Sequence, residues 1–180
     1  MRVISGKYKG KKIEGFDILG TRPTMDRVKE SLMAMIQNYI KNSVVLDLFA
    51  GSGSLGIESI SNGAKTCYFV DNNPELIKIL TKNISNMDDD IKIIKNDYKE
   101  ALKDFKNNIK FDIIFLDPPY KLNLINNCLD LIYEYNLLNE NGIIVCEYEN
   151  EIIKNDNFEI IKTKKYGSKN VMIMKCKMSL

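Results

Sequence analysis

From residue 44 onward the chain alternates short apolar runs with amphipathic stretches. Residues 44–48, 66–70, 91–95, 112–116 and 142–147 read as buried strands, because each is a brief apolar run bounded by polar or turn-forming residues. Between them, 55–61, the stretch opening at Pro74, 97–105 and 124–135 carry the spacing of helices. Pro74 suits a first helical position, where its missing N–H costs nothing. Strands that alternate with helices imply a parallel sheet covered on both faces. Residues 158–164 and 171–177 alternate instead, with Gly167-Ser168-Lys169-Asn170 between them, which predicts a closing hairpin and an antiparallel edge. Ahead of this α/β pattern, residues 2–13 alternate loosely around Gly6 and Gly10 and predict a small hairpin arm. Residues 20–24 read as a loop. A helix is predicted over 26–40, with Val28, Leu32, Met35, Ile36 and Tyr39 on one face. The expected organisation is a basic arm and helix over 1–43 packed on a core of 44–180, in one structural domain without internal repeats.

Composition narrows this picture. A chain of 180 residues, 44% hydrophobic and 28% charged, can bury a sizeable core. The net charge of +2 hides an asymmetry: residues 1–43 hold nine Lys/Arg and four Asp/Glu, and residues 162–177 hold six lysines and no acid. Two basic ends point to a polyanionic partner as readily as to a solvated surface. No secretory signal or membrane span is expected, since no apolar run approaches the ~20 residues a span needs. The four cysteines, Cys67, Cys128, Cys146 and Cys176, stand singly and form no CxxC pair, so neither a zinc site nor a disulfide framework is expected. A cytoplasmic protein without metal fits these features. There is no histidine, which removes Ser-His-Asp and Cys-His catalysis. Chemistry must come from carboxylates, hydroxyls, backbone groups or a cofactor.

Strand 44–48 runs into Asp47-Leu48-Phe49-Ala50-Gly51-Ser52-Gly53-Ser54-Leu55-Gly56, where Gly51, Gly53 and Gly56 match G-x-G-x-x-G. Glycines allow a sharp turn and close approach to a ligand, and a helix N-terminus behind them offers N–H groups. The spacing alone would also serve a dinucleotide, with Asp71 on the ribose. Asp47 separates the two: a carboxylate there repels a pyrophosphate and attracts an ammonium group. The block resembles the first motif of class I methyltransferases, and the resemblance implies S-adenosylmethionine as cofactor, contacted by Asp47, Phe49, Gly51 and Gly53. Asp71 and Asn72 end the second strand, where Asp71 would accept from ribose hydroxyls. Asp97 and Tyr98 follow the third, where Asp97 would accept from the adenine amine. Each carboxylate could instead be a helix cap.

Asp117-Pro118-Pro119-Tyr120 follows the fourth strand. It resembles the fourth motif of methyltransferases that act on amines attached to planar groups. Such a nitrogen is a poor nucleophile, because its lone pair is delocalised. The Asp117 carboxylate and the Pro118 carbonyl can each accept one of its N–H bonds and hold it in line for transfer. Pro118 and Pro119 stiffen the loop, and Tyr120 offers a face on which a base can stack. A free aspartate titrates near ~3.9, so the expected role of Asp117 is positioning more than proton abstraction.

The arm (Arg2, Lys7, Lys9 and Lys12, with Tyr8 among them) and Thr21-Arg22-Pro23-Thr24-Met25-Asp26-Arg27-Val28-Lys29-Glu30 add specificity. With the motifs above they resemble the bacterial 16S ribosomal RNA guanine-N2 methyltransferases of the small-subunit methyltransferase D family, over nearly the whole chain. The resemblance implies a Rossmann-like, seven-stranded, mostly parallel sheet with helices on both faces. It implies transfer from S-adenosylmethionine to the N2 amine of one guanine in 16S rRNA, within a partly or fully assembled small subunit, by a monomer. It places Arg2, Lys7, Lys9, Lys12, Arg22, Thr24 and Arg27 against RNA. The residues leave open a DNA adenine-N6 methyltransferase and a silent RNA-binding assembly factor. A protein-glutamine methyltransferase, which typically carries Asn in place of Asp117, and a NAD-dependent reductase fit less well.

Overall fold

The computed structural model describes residues 1–15 and 22–177, with backbone alone over 22–25. In chain order the elements are α1 (Arg22–Ile40), β1 (Val44–Asp47), α2 (Ser54–Ser61), β2 (Thr66–Asp71), α3 (Pro74–Ile84), β3 (Asp90–Lys95), α4 (Tyr98–Phe105), β4 (Phe111–Leu116), α5 (Ile125–Glu134), β5 (Leu138–Tyr148), β6 (Phe158–Tyr166) and β7 (Lys169–Cys176), with a 3-10 turn at Tyr120–Leu122. The strands form one seven-stranded sheet in the order β3-β2-β1-β4-β5-β7-β6. Neighbours pair in parallel from β3 to β5, whereas β7 is antiparallel to both β5 and β6. The Rossmann-like sheet with its closing hairpin is therefore as expected. Its order reverses between β1 and β4, and a crevice at such a switch point is where α/β sheets bind ligands.

Alternation along the strands builds two cores. Val45, Phe69, Ile113, Phe115, Ile143, Val145 and Ile173 face one side, with Val28, Leu32, Ile36 and Ile40 of α1, Ile57 and Ile60 of α2 and Leu80 of α3. Leu46, Val70, Ile114, Leu116, Ile144, Met172 and Met174 face the other, with Leu102 and Phe105 of α4 and Cys128, Leu129 and Ile132 of α5. Val3 and Ile13 of the arm join the first core. The arm contains one antiparallel bridge, Arg2 with Lys12. Cys67, Cys128 and Cys146 are buried and Cys176 half-buried, all as free thiols.

Two starts differ from expectation by four residues, the other boundaries by at most two. Helix α1 starts at Arg22 rather than 26, because the first turn of a helix tolerates Pro23. Strand β5 begins at Leu138 rather than 142. Its pairing with β4 shifts register between Phe111 and Ile113, and the polar Asn139-Glu140-Asn141 stretch hides that end from an apolar pattern.

Candidate functional site

The carboxyl ends of β1 to β4 deliver one acidic residue each to a single cavity of about 840 Å³: Asp47, Asp71, Asp97 and Asp117 all line it. Asp47 is 2% exposed. Its Oδ2 accepts the Gly56 N–H at 3.1 Å, but burial dominates and, with Asp71 nearby, pushes its carboxyl up to about 7. Gly51 is left-handed with φ 55°, and space for a side chain there is open. Gly53 is different. It is absent from the cavity lining, and a Cβ on it would lie 2.4 Å from Leu80 Cδ1. It is also left-handed, φ 83°, at the start of α2, a conformation that favours glycine. Gly56 is equally constrained, since a Cβ would meet the Phe69 ring at 2.3 Å.

Asp71 braces the glycine loop: Oδ2 accepts the Gly51 N–H at 2.9 Å and Oδ1 the Asn73 N–H at 2.9 Å. Asn72 lies beside it on the wall. Asp97 caps α4 through the Lys99 N–H at 2.9 Å. The alternative of a helix cap is thus realised, and Asp97 also lines the cavity. Phe49 and Tyr98 form an aromatic wall, ring centroids 5.5 Å apart, and Asn127 fixes the Tyr98 hydroxyl at 2.9 Å. These residues offer what a nucleoside carrying an amino acid needs: carboxylates for its hydroxyl and amino groups, buried at Asp47, half-buried at Asp71 and exposed at Asp97, a glycine turn open to close approach, and an apolar wall for its ring.

At the end of β4, Asp117 is half-buried, Pro118 buried and Pro119 exposed. Among the described residues, none donates a hydrogen bond to the Asp117 carboxylate, which leaves its acceptors for an incoming group. Burial, Glu147 and Asp47 push its carboxyl well above the usual range, against the pull of Lys169. This departs from the ordinary carboxylate titration on which the positioning role was expected. Tyr120 lines the cavity, but its ring is not loose: the hydroxyl donates to Glu147 Oε1 at 2.7 Å.

The arm runs out along α2 and back. Its two ends lie by the cavity, where Gly15 packs near Met1 and Ser52. Its tip reaches Ser61 at the far end of that helix, where the Lys7 N–H donates to the Ser61 carbonyl at 2.7 Å. Eight residues of helix separate the two by about 12 Å. Lys7 pairs with Asp89, just before β3, at the opposite rim of the sheet from the four acidic residues. Arg2 and Lys12 are exposed on the near part of the arm, Lys9 at its tip and Arg27 on α1. The Arg2 guanidinium donates to the Gly10 carbonyl at 2.9 Å. The side chains of Arg22 and Thr24 lie outside the described residues.

Sequence reasoning missed two ion pairs. Lys29 and Glu58, 5% and 0% exposed, meet at 3.2 Å. Glu58 also accepts the Ile4 and Ser5 N–H groups at 3.0 and 2.9 Å, and Lys29 donates to the Arg2 carbonyl at 2.9 Å. The arm, α1 and α2 are thereby tied together. A glutamate amid the apolar positions of Ser54–Ser61 was the visible signal. Glu147 and Lys169, on β5 and β7, form the second pair at 2.5 Å, and both line the cavity. Among the described residues no cluster of acidic or cysteine side chains could hold a metal ion, and no helix is long and apolar enough to cross a membrane.

Comparison with known proteins agrees with this architecture. The Bacillus subtilis protein YlbH, provisionally named an rRNA methyltransferase, is 40% identical over 97% of this chain and 98% of its own length. The Haemophilus influenzae protein named ribosomal RNA small subunit methyltransferase D is 36% identical over 93% of this chain and 89% of its own. The solved structure of Escherichia coli yhhF, provisionally described as a methyltransferase, superposes with a TM-score of 0.87 at 25% identity, covering 98% of both chains. Residues 1–175 match the family described as conserved hypothetical protein 95. The chain belongs to that family, together with the relatives named ribosomal RNA small subunit methyltransferase D.

Proposed function

We propose that this protein methylates the exocyclic N2 amine of a guanine in 16S ribosomal RNA, with S-adenosylmethionine as donor. The observation that carries the reading is the convergence of Asp47, Asp71, Asp97 and Asp117 on one cavity that Pro118, Pro119 and Tyr120 also line. The relatives' names supply the class of substrate. The donor supplies an electrophilic methyl group on a positively charged sulfur. Asp47 would hold the ammonium of its methionine end, with the backbone at Gly51 beside it. Asp71 and Asn72 would take the ribose, and each Asp71 oxygen keeps a lone pair beyond its loop contact. Asp97, Tyr98 and Phe49 would take the adenine.

Asp117 and the Pro118 carbonyl would accept the two N–H bonds of the target amine and aim its lone pair at the methyl group. The methylated nitrogen must lose a proton. A carboxylate held above its ordinary range by burial is suited to receive that proton, so Asp117 serves as both positioner and acceptor. Tyr120 would stack against a base turned out of its helix. Arg2, Lys12 and Arg27, with Arg22, Thr24 and, at the arm's far tip, Lys7 and Lys9, would contact phosphates and position the RNA without reading its sequence. The substrate would be an assembling small subunit and the enzyme a cytoplasmic monomer. Asp117→Ala tests the assignment: transfer is lost by a factor of ~10² or more, while S-adenosylmethionine binds with unchanged affinity. Full activity in that variant removes Asp117 from the chemistry.

A further inference from the structure

Glu147 stands at the carboxyl end of β5, 7% exposed, on the wall of the cavity. A carboxylate so placed needs partners, and it has two. Tyr120 donates its hydroxyl to Oε1 at 2.7 Å, and Lys169, the first residue of β7, reaches the same oxygen at 2.5 Å. The Lys169 ammonium also lies 5.3 Å from the centroid of the Tyr120 ring. An ion pair that served the sheet alone would have no reason to grip the last residue of the tetrapeptide. Resting on the function proposed above, we propose that Glu147 and Lys169 are positioning residues for methyl transfer, which fix the Tyr120 ring as the stacking wall for the base and set the charge around Asp117.

The two residues act on Asp117 with opposite signs. Glu147 from β5 and Asp47 from β1 raise its proton affinity, Lys169 from β7 lowers it, and Tyr120 faces it from its own loop. Asp117 must be ionised to receive the proton of the methylated amine, so with S-adenosylmethionine saturating the acid limb of kcat/KM for RNA reports its titration. Glu147→Gln keeps an oxygen for the Tyr120 hydroxyl and removes a negative charge, which moves that limb to lower pH. Lys169→Met removes the positive charge and moves it to higher pH. Damage to packing alone would lower both rates without displacing the limb in opposite directions.

The experiment measures kcat/KM between about pH 5 and 9 on undermodified small subunits, for wild type, Glu147→Gln, Lys169→Met, Lys169→Arg and Tyr120→Phe. S-adenosylmethionine affinity and thermal melting are followed in parallel. The expected result is displacement of about half a pH unit or more in opposite directions for Glu147→Gln and Lys169→Met, and return to the wild-type profile in Lys169→Arg. Tyr120→Phe raises the KM for RNA severalfold with cofactor affinity unchanged. Unmoved limbs, displacement in the same direction, or no rescue by Lys169→Arg overturns the proposal. The near-isosteric Glu147→Gln decides alone if Lys169→Met does not fold. A wild-type enzyme that transfers nothing to small subunits overturns the function itself, a different outcome from active enzyme with unmoved limbs.

Discussion

Replacing Lys29 by Met should destabilise the protein far more than an ordinary charge deletion. Lys29 is 5% exposed and Glu58 fully buried, and their ion pair is 3.2 Å long. Removing one partner of such a pair costs roughly 3–5 kcal/mol, because the other charge is left buried without compensation. Glu58 retains the Ile4 and Ser5 N–H groups and the Ser5 hydroxyl, which places the loss near the lower figure, ~3 kcal/mol. For a chain of this size each kcal/mol lowers the melting temperature by about 2–4 °C, so a fall of roughly 6–12 °C is expected. The assay is urea unfolding and calorimetry of Lys29→Met, Glu58→Gln and the double variant. Glu58→Gln keeps an oxygen for the arm's N–H groups and strands no carboxylate. The double variant should therefore be more stable than the sum of the single losses predicts. Cleavage of the arm by protease should quicken in Lys29→Met, since the same pair anchors the arm through the Arg2 carbonyl. A loss below about 1 kcal/mol, the scale of an exposed pair, would refute the claim that this pair is the clasp between arm, α1 and α2.

Four further outcomes follow from the site, two from Asp47 and two from the glycines. The folded-state titration of Asp47 near 7 lies above its unfolded value of 3.8. The native state therefore holds a proton that the unfolded chain has lost, and stability falls as pH rises from about 4 to about 7, then levels. A cationic ligand favours the ionised form, so S-adenosylmethionine affinity should strengthen over the upper part of that window. Calorimetric titration at pH 5.5 and 8 checks this, with Asp47→Asn expected to remove the dependence. Gly56→Ala forces a Cβ to 2.3 Å from the Phe69 ring, an overpacking of about 1–3 kcal/mol that a thermal melt reads. Gly51→Ala meets no atom within 4 Å, but its left-handed φ of 55° strains any side chain, so it should cost about 1–2 kcal/mol in the melt and lose cofactor affinity as well.

Much of the fold was legible because the strands are short apolar runs and the helices amphipathic. Periodicity states both, and Pro74 and the glycines punctuate them. The four acidic residues were legible for a related reason: each follows an apolar run at the point where a parallel strand must end. The start of β5 was not, because its polar residues belong to a bulged pairing that only the neighbouring strand defines. Gly53 was legible as glycine, but the closeness of Leu80, which lies on another helix, was not. Lys29, Glu58, Glu147 and Lys169 were invisible as pairs, because a single charge in an element says nothing about which distant strand or helix supplies its partner. Tyr120 was legible as an aromatic, and the grip of Glu147 on it was not.

The central claim is tested most directly by offering labelled S-adenosylmethionine with three substrates: small subunits lacking the modification, naked 16S rRNA and DNA. The products are then digested to nucleosides. The account predicts label in N2-methylguanine of 16S rRNA, at a single position, and its absence with Asp117→Ala. Label in DNA adenine alone, or no transfer by a wild-type protein that binds the cofactor, would contradict it.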